Sequence, residues 1–430
     1  MEKTRVVITG IGVVTPIGIG VEEYWKAALR GTSGSKLITH FDPTGLPSRM
    51  AAVVREERDI ERLRSWLEAD PEEARVGLFA LAAARMASEA SCWDSFYGKD
   101  RLGIFLGTSG GRVDLQRLAE IAYRSRAGNG GEINIAAYVR EYGKSLDGNF
   151  VLRLFPQYVT ALVAGRFGIT GASSTIQTAC TSSAQAVGEA MRAIQRGTVD
   201  AAITGGSECI VSPIEMQLFC LLGALSRRNK APEQASRPFD AQRDGFVLGE
   251  GAGFLVLERL DRAVRRNAPI LAELAGYGTS CDAYRVTDEA PDGRGAILAM
   301  RRAIEDSGLS PDRIDYVNAH GTSTLMNDRV ETLAIKAVFE KRAYQIPVSS
   351  TKSMIGHIIS AAGAIELITC VLALRDQVVP PTINYEFPDP ECDLDYVPNR
   401  SRPAELEAVL SNSFGFGGHN DCLVVRRFYP

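Results

Sequence analysis

Cys180 and three histidines are the residues of this chain whose types and settings could do chemistry together. Cys180 lies in Ser174-Thr175-Ile176-Gln177-Thr178-Ala179-Cys180-Thr181-Ser182-Ser183. His320 lies in Asn318-Ala319-His320-Gly321-Thr322-Ser323-Thr324, and His357 closes Ser350-Thr351-Lys352-Ser353-Met354-Ile355-Gly356-His357. His419 ends the run Asn412-Ser413-Phe414-Gly415-Phe416-Gly417-Gly418, and the fourth histidine, His40, sits in an ordinary loop. A thiol attacks as its thiolate, and an ordinary thiol is only ~3% ionised at neutral pH. Imidazoles can take its proton or donate to negative charge that develops beside it. Taken singly, a cysteine is more often a small core residue and a histidine a structural hydrogen bonder. Zinc would need ligands at short spacing, such as HExxH, and no such pair occurs. A thiolate nucleophile with two imidazoles converging on it is the chemistry that remains.

The elements around Cys180 would present it well. The β-branched run 174–178 predicts a buried strand. Ala184, Val187, Ala190, Met191 and Ile194 then follow helical spacing, and Gly197 stands where a left-handed cap is needed. Cys180 therefore falls on a tight strand-to-helix turn. Free N–H groups and the positive end of the helix dipole there would favour a thiolate.

The rest of the chain alternates. Arg5 to Thr9 reads as a first strand and Gly10 to Gly18 as a glycine-rich turn. Thr15 replaces the third glycine of GxGxxG and Pro16 interrupts the helix start, which argues against a dinucleotide site. Glu22 to Arg30 reads as helix, Arg55 to Arg75 as a charged, solvent-facing span, Val76 to Ala90 as helix and Leu102 to Leu106 as strand. Thr108 to Phe150, with Arg112, Arg117, Arg124, Arg126 and a turn at Gly128-Asn129-Gly130-Gly131, is the least patterned segment. Helical spacing resumes over Leu152 to Phe167. Strands follow at Ala201 to Thr204, ending at Gly205-Gly206, and at Gly253 to Leu257.

A second half repeats the theme. Strand Ile270 to Leu274, helix Ala296 to Asp306, strand Tyr316 to Ala319, helix Asp328 to Phe339, strand Pro347 to Ser350, helix Ile358 to Leu374 and strand Cys422 to Arg426 follow in order. The pattern predicts α/β layers with mainly parallel sheets, in two halves at 1–258 and 259–430. The polar motifs fall just past strand ends, where open α/β sheets place their sites.

Composition sets the class. The 430 residues are 45% hydrophobic, with 48 basic and 52 acidic side chains and a net charge of −4. This describes a globular chain and argues against nucleic-acid binding, since no basic stripe with interleaved aromatics offsets the charge. Eight cysteines without a CxxC pair fit reduced thiols. Neither a signal peptide nor a membrane-spanning run is recognisable, so the expectation is a soluble, cytoplasmic protein.

The four motifs around residues 180, 320, 357 and 412–418 resemble, in order, the signature blocks of β-ketoacyl-acyl carrier protein synthases. The elongating type II class of fatty acid and dissociated polyketide synthesis is the most similar, and the likeness spans the chain. It implies the thiolase fold, a duplicated five-layer αβαβα arrangement, and a homodimer or a heterodimer with a related ketosynthase-like subunit. The implied reaction is a decarboxylating Claisen condensation on acyl carrier protein substrates. No cofactor is bound; phosphopantetheine arrives on the carrier protein. By the match, Cys180 takes the acyl chain, and His320 and His357 stabilise the enolate. Lys352 governs the electrostatics around His357, and the N–H groups of Cys180 and Phe416 form an oxyanion hole. Thr322 and Thr324 bind the phosphopantetheine arm. Phe416 and Phe219 are aromatic gates, with Gly415, Gly417 and Gly418 letting one loop swing and Asp282 marking a second mobile loop. Glu366 with Asn318, Ser411 and Asn412 matches a structural polar cluster able to hold a monovalent cation.

Departures from the family pattern matter. Gly223 stands where many relatives carry an arginine that touches the carrier, leaving Arg227 and Arg228 as candidate substitutes, and Ser183 replaces a common glycine. Three other readings are weighed. A thiolase would need a second catalytic cysteine near the C-terminus, where Gly417-Gly418-His419 offers none. A CoA-primed starter synthase would carry Asn in place of His357. A non-catalytic chain-length partner subunit would lack the cysteine at 180.

Overall fold

The computed structural model describes residues 3–54, 57–71, 73–110, 115–126, 131–145 and 148–429. Arg55, Arg112 and the turn expected at 128–130 lie outside them. Five main strands build the first half: Val6–Thr15, Leu102–Gly107, Ser173–Ile176, Ala201–Glu208 and Gly251–Arg259. Their spatial order is third, second, fourth, fifth, first. The second half has Ala272–Cys281, Tyr316–Asn318, Val348–Ser349, Ala408–Gly415 and His419–Arg426, and its spatial order is the same. The two first strands meet edge to edge through Val6↔Leu274, Val7↔Glu273 and Ile8↔Ala272, so one sheet continues across both halves. An identical strand order twice in one chain is the expected duplication, with helices on both faces.

The layers follow from which faces are apolar. Along Gly251–Arg259, Leu255 and Leu257 point to the middle of the molecule, while Phe254 and Val256 point outward. That alternation is the period of two that a strand imposes. Helices Ser182–Gln195 and Ala362–Asp376 fill the middle with Val187, Met191, Ile365, Ile368 and Val371. Every residue from Ala362 to Leu374 is buried, so this helix is enclosed on every side, with Glu366 and Thr369 among its apolar residues. Helix Arg75–Ser91 covers the outer face of the first half, and Arg294–Ser307 with Leu325–Phe339 covers that of the second.

Several expectations are corrected. The sheets are mixed, not mainly parallel: in each half the second strand pairs in parallel with the third and fourth, and the fifth is antiparallel to both neighbours. Ser173–Ile176 is an edge strand, exposed or half-buried, where a buried one was expected. The glycine-rich run after Thr9 is not a turn; the first strand continues through it to Thr15. Its glycines serve close packing, since a Cβ on Gly10 or Gly12 would lie 2.1 Å from the carbonyl oxygen of Ala87 or Ala83. Likewise the strand from Ala201 does not end at Gly205-Gly206 but runs to Glu208, and the strand expected from Ile270 starts at Ala272 and reaches Cys281. Pattern alone could not separate a glycine that turns the chain from one that admits a helix. The remainder of the unpatterned segment forms helices Leu115–Arg124, Ile135–Ser145 and Gly148–Arg153.

Gly12→Ala tests this packing. The added methyl meets fixed helix backbone, so overpacking should lower stability by about 1–3 kcal/mol or more. Urea unfolding measures it, and an unchanged midpoint would show that the helix does not press on this strand.

Candidate active site

Strand Ser173–Ile176 leads into a single 3-10 turn, Ala179–Thr181, and then helix Ser182–Gln195. Ala179 is left-handed, with φ 52°, a conformation that costs a non-glycine residue about 1–3 kcal/mol. The turn is stapled by Ser182 Oγ, which donates to Ala179 O at 2.7 Å and accepts from Thr178 N–H at 2.9 Å. This sharp bend presents Cys180 at the helix start, as its spacing predicted, and Gly197 caps the far end with φ 74°.

His320 follows strand Tyr316–Asn318, and His357 follows the short helix Lys352–Ile355. His357 N–H donates to Val247 O at 2.7 Å and Gly249 N–H donates to His357 O at 2.9 Å, which pins its backbone. Its Nε2 lies 3.0 Å from Cys180 Sγ. The imidazoles of His320 and His357 are 5.4 Å apart, with planes at 82°. Donor atoms of Cys180, His320 and His357 all lie within 4.8 Å of one another. The three residues expected to converge do so. His419 instead opens the last strand, paired with Cys281, and His40 bonds Val211 O.

Lys352 is buried behind this trio. Its Nζ pairs with the Glu366 carboxylate and lies 3.3 Å from His320 Nδ1. An ammonium can only donate, so His320 Nδ1 accepts and its Nε2 carries the proton. Burial, and then the Lys352 cation, hold both imidazoles well below their usual range; each is neutral. Lys352 thus touches His320 directly, where the resemblance implied His357. The cation also makes the Cys-His-His group, although close enough to hold a metal ion, an unfavourable place for one.

The expectation of a ready thiolate is corrected. Burial pushes the Cys180 thiol up to about 12, against the opposing pulls of Lys352 and of the Phe416 N–H directed at its sulfur. Desolvation outweighs the helix end because the thiol is embedded in an apolar cluster with Ile210, Val211, Met216, Leu225, Phe246 and Leu248.

A cavity of about 270 Å³ opens from this trio toward solvent. Thr322, Thr324 and Phe416 line it, as expected. Thr324 also caps helix Leu325–Phe339, accepting from Asn327 N–H at 3.3 Å. Phe219 does not line the cavity; it packs edge-on behind Phe246, at 5.9 Å, and Phe246 in turn meets His357 at 5.2 Å. Gly417 and Gly418 form the turn between the last two strands with φ of 87° and 75°. That turn is zipped to the second loop: Gly417 N–H donates to Val286 O at 2.6 Å and Asp282 N–H to Gly418 O at 2.8 Å. Asp282 is a buried anchor, accepting from Asn420 Nδ2 and Ala290 N–H.

Two site residues escaped sequence reasoning. Glu331, on helix Leu325–Phe339, accepts from the N–H groups of His320 at 2.9 Å and Gly321 at 2.7 Å. Its signal was an acid on an otherwise buried helix face. Glu289 lines the cavity from the loop after Asp282, and nothing in the local pattern marked it. Of the expected polar cluster, Asn318 Oδ1 and Glu366 Oε2 are buried acceptors without a hydrogen-bond partner, a donor set that fits a monovalent cation. Asn412 turns instead to Glu331, donating at 3.0 Å. Gly223 lines the cavity mouth, whereas Arg228 donates to Gln242 O at 2.6 Å and Arg227 is exposed.

Comparison with known proteins agrees with this geometry. Residues 3–263 match the family profile of the beta-ketoacyl synthase N-terminal domain, and residues 271–386 that of the C-terminal domain. The chain is 41% identical over 433 residues to the 3-oxoacyl-[acyl-carrier-protein] synthase 2 of Coxiella burnetii, covering 100% of both. It is also 41% identical over 431 residues to the protein of the same name from Synechocystis, covering 100% of this chain and 99% of that one. Among solved structures, a ketosynthase in complex with a type II polyketide acyl-carrier protein superposes with a TM-score of 0.88 at 35% identity, covering 99% of this chain and 100% of the other. The ishigamide ketosynthase/chain length factor gives 0.88 at 34% identity, with 100% of both chains covered. The chain belongs to the β-ketoacyl synthase family and has its thiolase fold.

Proposed function

We propose that this enzyme is an acyltransferase that elongates carrier-bound acyl chains by decarboxylating condensation with malonyl-acyl carrier protein. The observation that carries the reading is the Cys180–His357 contact of 3.0 Å, with His320 beside it and an apolar cluster behind the sulfur. In loading, His357 Nε2 takes the thiol proton as Cys180 attacks the acyl thioester, and returns it to the departing pantetheine thiol. In condensation, the bond between the malonyl carboxylate and its α-carbon breaks, carbon dioxide leaves, and the electron pair becomes the enolate. His320 Nε2–H donates to the enolate oxygen, with His357 facing it from the other side. The enolate carbon bonds to the acyl carbonyl carbon and the bond to Cys180 sulfur breaks. One proton is taken up to restore the thiol. The N–H groups of Cys180 and Phe416 are the donors for the tetrahedral oxyanions. Thr322 and Thr324 guide the phosphopantetheine arm. A monovalent cation, held by Asn318 and Glu366, would neutralise buried carboxylate charge.

Among the cavity-lining residues Cys180 is the one cysteine, which argues against a thiolase that uses two, and its presence argues against a chain-length partner. Assembly is a second element of the proposal. Among the described residues Ser173–Ile176 has a strand neighbour on one side only, and Tyr123, Ile135, Val139 and Leu152 on the helices nearby in sequence, with Phe155 in the link that follows them, are exposed. A second ketosynthase-like chain, most simply another copy, would extend the sheet there. No helix among the described residues is long and apolar enough to cross a membrane; we place the enzyme in the cytoplasm.

Cys180→Ala should abolish both the acyl adduct, read by intact mass, and product formation. Condensation that survives it would refute the nucleophile. His320→Ala and His357→Ala should each lower condensation by about 10²–10³-fold, the loss expected for one oxyanion donor. Alkylation of the wild-type thiol by iodoacetamide should rise close to tenfold per pH unit from pH 7 to 9 without a plateau, because the thiol titrates near 12. A plateau near pH 8 would mean that the thiolate is stabilised instead. Sedimentation should give a dimer, converted to monomer by Val139→Asp with Phe155→Asp; a monomeric wild type, purified alone, would point to a non-identical partner.

A further inference from the structure

Glu289 is a carboxylic acid in the wall of the reaction cavity, and the reaction proposed above does not use it. It sits on the loop between strand Ala272–Cys281 and helix Arg294–Ser307. That loop is fixed over the cavity by Asp282, by Arg294 donating to Asp282 O at 2.9 Å, and by the link from Gly417 to Val286. Glu289 lines the same cavity as Cys180, His320 and His357, close enough that its negative charge raises the Cys180 thiol.

The acids around it oppose its charge. Asp282 and Asp288 on its own loop and Asp328 on helix Leu325–Phe339 all act against its ionisation. Asp244 lines the same cavity. The nearby cations are engaged elsewhere: Arg285 is paired with Asp288, Arg294 donates to the Asp282 carbonyl, Arg243 is paired with Asp328 and Asp389, and Lys352 with Glu366 behind the histidines. His320 and His357, held neutral, bring no compensating charge.

The two substrates of a condensing cycle differ in charge at this spot. An acyl chain is neutral, whereas a malonyl group enters as an anion and becomes an enolate. We infer that Glu289 is a charge-selecting residue: its protonated form admits the malonyl group, and its ionised form repels it, so the elongation unit but not the acyl chain is accepted under proton control. Burial pushes the Glu289 carboxyl up to about 7, which puts the change of state in the working range. The sign follows directly. Below pH 7 the carboxyl is neutral and the malonyl group is admitted; above it, the two negative charges meet in a partly desolvated space. Burial raises the Glu331 and Glu366 carboxyls too, but both lie behind the histidines and not on the cavity wall.

This inference rests on the condensation reading, and the test separates the two. Wild type and Glu289→Gln are loaded with an acyl chain at Cys180, and condensation is followed against malonyl carrier protein concentration from pH 6 to 8.5. In wild type, KM for malonyl carrier protein should climb toward about tenfold per pH unit above pH 7, with kcat changing little. In Glu289→Gln it should stay flat. Wild-type binding of acetyl carrier protein, a neutral analogue, should be flat as well, a control that needs no variant. In Glu289→Gln, Cys180 should also alkylate severalfold faster at pH 8, since a charge that raises the thiol is gone. A KM that rises identically in both proteins, or falls with pH in wild type, overturns the role of Glu289. Failure of either protein to load or condense at pH 6.5 would instead overturn the condensation reading.

Discussion

The Lys352 ammonium, buried between the Glu366 carboxylate and the His320 ring, is the constraint on which the site depends. It decides which nitrogen of His320 bears hydrogen, since Nδ1 must accept and Nε2 must donate. It adds to the burial that keeps both imidazoles neutral and opposes the desolvation of the Cys180 thiol. Removing one partner of a buried pair leaves an uncompensated charge and costs about 3–5 kcal/mol, so the three residues stand or fall together. The neutral state matters chemically. An N–H donor without net positive charge, as at His320 Nε2, can bind a thioester oxygen and strengthen only as it becomes an enolate, which is the difference that lowers a barrier.

Geometry at the sulfur is set by how the two halves pack. Cys180 comes from the first and both histidines from the second. The Sγ–Nε2 distance therefore depends on helices Ser182–Gln195 and Ala362–Asp376 lying against each other. Ser183, in place of the family's glycine, contributes to this: its Oγ accepts the Ala364 N–H at 3.0 Å, satisfying one of the free donors at the start of the second helix. Gly363 lets Ala184 approach, since a Cβ there would fall 2.8 Å from that of Ala184. The departure from the family pattern is thus accommodated within the contact that aligns nucleophile and base.

The mouth of the cavity is built differently. The Phe416 turn and the Asp282 loop are joined through the Gly417 and Gly418 backbone, so either moves only if the other does. Glu289 rides on this coupled pair. Glu289 is thereby held by loop contacts, while His357 is held by its own backbone hydrogen bonds to Val247 and Gly249.

Much was legible in the sequence where chemistry is local. The strand-turn-helix around Cys180, the helix end at Gly197, and the polar motifs bearing His320 and His357 all depend on neighbours within a few residues. Strand direction, the edge position of Ser173–Ile176 and the extension of the first strand through Gly10 and Gly12 were not legible. Each is decided by an element far away in the chain. So was the state of the thiol: a helix end argues for ionisation locally, but burial among residues from several segments prevails. The identity and order of the reacting groups were determined by sequence alone. Their protonation, their tautomers and the acid facing them were decided only by tertiary structure, because desolvation and charge act through space between side chains carried on different elements, from 32 positions apart for His320 and Lys352 to 177 for Cys180 and His357.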